Sequence, residues 1–297
     1  MTGLMPFAAG DIFVTASDLD ETARFPTGNG KIIQYSADWT QKAVFETGKR
    51  GLIASVTLDH HGNLHALDPQ AMARTTIGRD GKPKPMFDNL ATRAYGSMIA
   101  LGDGDYLFGE HMVGNIPGFS GSGKVYRVNA AGDTKAQYDT ETNGGMGGFL
   151  GVTHMALSAD GQTLYHTSET GAHVYGHDLA GNKRLGPVYT RADPPPMVFG
   201  IARLNDGSLL VAGGNEVRQI DTKGQVVRSY VMPEGRGWAV VVLRSGGQSF
   251  WALDFFGGKL ACVDVASGAI LQTKELGLAK CLAGIAEFHQ NRMSFHP

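Results

Sequence analysis

Three apolar segments of this 297-residue chain end in an acid: LHALD at Asp68, YLFGE at Glu110 and SFWALD at Asp254. Asp18 and Glu169 hold similar places one step further along their own segments. Carboxylates gathered at one end of a scaffold can bind a divalent ion, exchange a proton with a substrate or hold a cationic ligand. The competing structural reading is that each caps a turn by accepting backbone N–H groups. His154 opens the segment HMAL, and His111 directly follows Glu110. Imidazole is the side chain that ordinarily titrates nearest neutrality, so a histidine near a carboxylate suits general-base work. Tyr95, Phe149, Phe199, Trp238, Phe255 and Phe256, with Arg236 just before Trp238, stand at neighbouring segment ends. Aromatic walls with a few polar groups describe a small-molecule pocket, although aromatics also fill cores. The expected catalytic set is therefore His154, Glu110, Asp254 and His111. The expected substrate-binding set is Tyr95, Phe149, Glu169, Phe199, Arg236, Trp238, Phe255 and Asp68.

These residues need a scaffold that brings distant segments to one place, and the internal repeats supply it. An apolar strand, a Gly-bearing turn and a second apolar strand recur as SVTLDHHGNLHALD from Ser55, SMIALGDGDYLFGE from Ser97 and THMALSADGQTLYHTSE from Thr153. They return as GIARLNDGSLLVAGG from Gly200 and AVVVLRSGGQSFWALD from Ala239. A second hairpin follows each first one, such as ARTTIGRDGKPKPMF from Ala73 and KVYRVNAAGDTKAQY from Lys124. The unit is thus four strands, A to D, repeating about every 40 to 57 residues, as a propeller blade does. Five units are continuous. The sixth takes strand A from GIAEF at Gly284 and its other strands from DIFVTAS at Asp11 through Phe45. The expected fold is all-β, a six-bladed β-propeller over residues 1–297, closed by strands from both ends of the chain. The A–B and C–D turns are short and the B–C and D–A connections long, so the long loops share one face and the site is expected there. The longest, His111 to Gly123 and Asp139 to Gly151, are glycine-rich and could form a lid.

VTHMALSADGQTLYHTSE and FGIARLNDGSLLVA (Phe199 to Ala212) resemble segments of the SMP-30/gluconolactonase propellers, a pattern that NHL-type and strictosidine-synthase-like propellers share. The resemblance implies a metal-dependent lactonase with a Glu, two Asn and an Asp around a divalent ion. Those positions fall here near Leu52 to Ser55, near Gly96, on Thr153 and on Phe199. Losing carboxylate and amide groups to Phe and Gly disfavours a Ca²⁺ or Zn²⁺ site and points to a more apolar pocket.

The remaining features narrow the function by exclusion. The formal net charge of −2 and pI near 6.5 give no basic stripe for nucleic acid. The apolar run Trp238 to Leu243 is too short to span a bilayer. The opening MTGLMPFAAGDIF lacks a secretory pattern, and the cysteines, Cys262 and Cys281, make no framework, so a reducing cytoplasm is the expected location. No GxSxG, HExxH or P-loop is present. The sequence therefore favours an enzyme acting on a small, partly apolar or aromatic molecule. A lactone or ester hydrolase is preferred, a metal-free lyase or isomerase comes second, and a non-catalytic binding propeller is the reading from another class.

Overall fold

The computed structural model describes residues 3–19, 28–112, 123–142, 150–168, 171–194, 196–235 and 237–289. They form a ring of six antiparallel blades. β1 (Ile12–Ser17), β2 (Gly28–Tyr35) and β3 (Gln41–Gly51) are the outer strands of the first blade. β4 (Ser55–Leu58), β5 (Leu64–Asp68) and β6 (Ala73–Ile77) make the second. The third is β7 (Tyr95–Ala100), β8 (Tyr106–Met112), β9 (Val125–Val128) and β10 (Thr134–Tyr138), with the short β11 (Leu150–Gly151) added beside the far end of β8. β12 (His154–Leu157), β13 (Thr163–Thr167), β14 (His173–Asp178) and β15 (Lys183–Thr190) form the fourth. β16 (Ile201–Arg203), β17 (Leu209–Ala212), β18 (Glu216–Ile220) and β19 (Val226–Val231) form the fifth. β20 (Trp238–Leu243), β21 (Ser249–Asp254), β22 (Lys259–Asp264) and β23 (Ile270–Glu275) form the sixth. β24 (Ile285–Glu287) then pairs with β1, placing Ile12 opposite Glu287 and Val14 opposite Ile285. The split blade read from the sequence is thus the one that closes the ring.

The second blade corrects the expectation of four strands throughout. Its outermost strand is reduced to one bridge, Ile77 to Pro83. Pro83 and Pro85 carry no N–H, so the KPKP segment cannot build a ladder on β6.

Second strands such as β1, β5 and β21 are buried at every position, because they face neighbouring blades on both sides. That is why they read as continuous apolar runs rather than alternating ones. The core divides into six clusters, one at each blade–blade interface. The cluster between the sixth and first blades joins Val240, Trp251, Leu253 and Leu260 to Ile12, Val14, Ile33 and Ile285. It is as continuous as the other five, so ring closure rests on apolar packing as well as on the β24–β1 hydrogen bonds. Gly161 and Gly207 take positive φ in the inner turns, the conformation that the DG pairs anticipated.

The expected lid glycines lie mostly outside the described residues. No helix among the described residues is long and apolar enough to cross a membrane.

Candidate functional site

The inner strands β4, β7, β12, β16, β20 and β24 surround a central cavity of about 970 Å³ that reaches the short-turn face at His60, Asp103 and Gln162. Each inner strand ends at an equivalent hydrogen bond toward the second strand of its blade, as in Asp59 N–H to Asn63 O, Leu204 N–H to Ser208 O and, across the split blade, Phe288 N–H to Asp11 O. That equivalence sets a common register, and the lining falls into levels along the channel.

The level three residues before the last strand position holds Ser55, Ser97, His154, Gly200, Val240 and Gly284. Ser55, Ser97 and His154 line the cavity from three consecutive blades. Ser55 Oγ and Ser97 Oγ are buried without a hydrogen-bond partner among the described residues. Buried hydroxyls in folded proteins are nearly always satisfied, so two unbonded ones in residues of the cavity wall are exceptions, and a side-chain rotation toward a bound molecule or water would satisfy them. The middle of the channel is mostly apolar, with Met98, Ile99, Met155, Ile201, Val242 and Ile285 on its wall. At the last strand position stand Leu58, Ala100, Leu157, Arg203, Leu243 and Glu287.

Around that last level the charges are mostly paired. Arg244 grips Glu287 with both ends of its fork, Nε to Oε2 at 3.0 Å and Nη2 to Oε1 at 2.9 Å. Its guanidinium also lies 5.0 Å from the centre of the Trp251 ring. Burial alone would raise the Glu287 carboxyl; the hydrogen bonds and charge of Arg244 outweigh it and hold the group below the usual carboxylate range. Arg127 pairs with Asp103 and, through Nε at 2.8 Å, with Asp105.

Of the described residues expected to form the site, His154 alone lines this cavity. Asp68 and Asp254 hold turns: Asp68 Oδ1 accepts N–H bonds from Leu52 and Ala71, and Asp254 Oδ1 accepts one from Gly257. Burial raises the Asp68 carboxyl above its ordinary value. Glu110 is fully buried and takes an ion pair from Arg93 at 3.4 Å. His111 is buried against Gly96, where a Cβ would lie 2.6 Å from the His111 Cβ. Tyr95 packs in the core between the second and third blades, and Trp238 in the core between the fifth and sixth, its Nε1–H donating to Pro233 O at 3.1 Å. Phe199 is half-buried; its N–H donates to Ala212 O. The half-buried Phe255 and exposed Phe256 meet edge to face with centroids 5.1 Å apart. Phe149, Glu169 and Arg236 lie outside the described residues.

Nothing in the chain's local pattern singles out Ser55 or Ser97, since small residues at strand starts carry no motif. Their register against His154 is the signal, and it is readable only after the blades are aligned. One other cluster imitates a catalytic relay. His65 Nδ1 lies 3.0 Å from Thr76 Oγ1, and its Nε2 lies 3.0 Å from Asp59 Oδ2. All three are buried, Asn63 and Tyr106 also donate to Asp59, and none lines the channel, so the cluster ties the second blade to the third.

The positions that would carry the lactonase-type metal hold Thr153, Phe199, Gly96 and the Leu52–Ser55 stretch. Among the described residues no group of three or more His, Cys, Asp or Glu side chains could hold an ion.

No family model matches the chain, and no curated protein matches it. Solved structures do. A protein of unknown function from Bacteroides caccae is 15% identical with a TM-score of 0.66, over 94% of this chain and 98% of that one. The nidogen/laminin complex matches at 13% identity and TM-score 0.63, over 93% and 98%. A catalytically inactive histidine-to-alanine variant of virginiamycin B lyase from Staphylococcus aureus, solved with quinupristin, matches at 15% and 0.59, over 90% and 86%. The shared fold is a six-bladed β-propeller. At these identities the likeness carries the fold, and the fold hosts both a lyase and a component of a protein complex.

Proposed function

We propose that the protein is an enzyme that moves a proton on a small, partly apolar substrate held in the channel, a lyase or isomerase with His154 as the base. The observation that carries this reading is the polar level of Ser55, Ser97 and His154 at one end of an otherwise mostly apolar cavity. The imidazole takes the proton, and the two hydroxyls donate to the oxygen on which negative charge develops. Neither serine hydroxyl is bonded to the imidazole, so the nucleophile–base hydrogen bond of serine acyl transfer is missing. That favours proton abstraction over a serine nucleophile. The fold likeness to a lyase that a histidine-to-alanine change inactivates points the same way. Hydrolysis of a lactone or ester, with His154 activating water, uses the same residues and is the second reading.

A panel of small eliminable or epimerisable acids and of lactones, followed by NMR in D₂O, tests both. Proton abstraction puts solvent deuterium into substrate or product. His154→Ala should lower the rate by about 100-fold or more while the melting curve stays near wild type. An active His154→Ala variant would refute the assignment. Turnover limited to lactones without deuterium uptake would move the conclusion to hydrolysis.

A further inference from the structure

The last level of the channel carries one cation that no described residue answers. Arg203 is half-buried, lines the cavity, and makes no hydrogen bond or ion pair with any described residue. Its neighbours at that level are Leu58, Ala100, Leu157 and Leu243, which offer no acceptor side chain, and Glu287, which Nε and Nη2 of Arg244 already occupy. Asp103, the other acid on the lining, is paired with Arg127. The acidic and basic side chains on the wall therefore cancel in pairs and leave the Arg203 guanidinium over. A cation on a largely apolar wall gives up hydration that no protein group replaces, unless something that enters the channel does so.

From this we infer that the ligand is a monoanionic carboxylate with an apolar body, its carboxylate held by Arg203. The inference rests on the channel being the ligand site. A guanidinium presents a planar fork matched to a carboxylate, and one uncompensated charge calls for one negative charge. Arg203 stands on the inner strand next to that of His154, three strand positions further along the channel, or about 10 Å by strand rise. The intervening wall is mostly apolar. A ligand with its carboxylate at Arg203 thus runs an apolar body along the wall and presents its far end to the Ser55–Ser97–His154 level.

Calorimetric titration of the full chain with 1-naphthaleneacetate and with 1-naphthaleneacetamide separates charge from shape, since the two differ mainly in the carboxylate. Wild type should bind the acid about tenfold more tightly than the amide. Arg203→Met should erase that preference and leave amide affinity unchanged, and Arg203→Lys should restore part of it. Met155→Trp, which narrows the channel, should weaken both probes. If both probes bind in the channel and Arg203→Met keeps the acid preference, or wild type has none, the role of Arg203 is overturned and the channel reading stands. If neither probe binds wild type, or Met155→Trp leaves both bound, the channel reading fails and the inference falls with it.

Discussion

Acid should unfold this propeller partly through one histidine in the wall between the third and fourth blades. His166 on β13 is fully buried, and its Nε2–H donates to Glu141 O at 2.7 Å. Its ring stacks on Tyr175 at 5.5 Å, and Nδ1 has no partner among the described residues. A carbonyl only accepts, so the neutral tautomer with the proton on Nε2 fits the site, and a second proton on Nδ1 would be a buried charge with no acceptor. Burial, the largest cause, pushes the pKa down from 6.5 to about 4, with the Glu141 carbonyl opposing and His177 and Arg184 adding to the fall. The folded protein therefore binds this proton less readily than the unfolded chain. The stability from a neutral His166 is complete above about pH 6.5 and is lost as pH falls from there toward 4. The gap between 6.5 and about 4, at 1.36 kcal/mol per pH unit, amounts to about 3 kcal/mol. His166→Gln keeps an N–H donor for the Glu141 carbonyl and does not titrate. Urea unfolding of both proteins from neutrality to about pH 4.5 should show wild-type stability falling faster, the difference approaching that figure. Other groups titrate in both proteins and cancel in the comparison. Two curves that fall in parallel would show that His166 is not held neutral and would refute the argument.

Two further outcomes follow from the packing. Asp59→Leu leaves His65, Asn63 and Tyr106 without their shared buried acceptor and should cost about 3–5 kcal/mol in urea unfolding, whereas exposed Asp160→Ala should cost under about 1 kcal/mol. Gly224→Ala places a Cβ 1.9 Å from Val188 O at a positive φ of 77°, so it should destabilise the contact between the fourth and fifth blades by more than about 1 kcal/mol, measured the same way.

The propeller was legible in the chain because each blade repeats the same local instructions, apolar strands and short Gly turns, with three strands left over at one end and one at the other. Those signals act within about a dozen residues of one another, so no tertiary information is needed to read them. The missing outer strand of the second blade was not read in advance: ARTTIGRDGKPKPMF passes for a complete hairpin, and Pro83 and Pro85 count against its last strand only once a ladder is sought there. The site was not legible in the same way. Asp68 and Asp254 have the residue type of a catalytic acid, and only the turns they hold show that their oxygens are engaged. Tyr95 and Trp238 have the residue type of a pocket wall, and only the direction of each side chain sends them into the core between blades. Ser55, Ser97 and His154 meet because three strands share a register, and Arg203 stands uncompensated because the channel's acids are already paired. Local sequence fixes which strands form; which charges cancel and which hydroxyls stay open is decided by segments tens of residues apart, and only the closed ring brings them together.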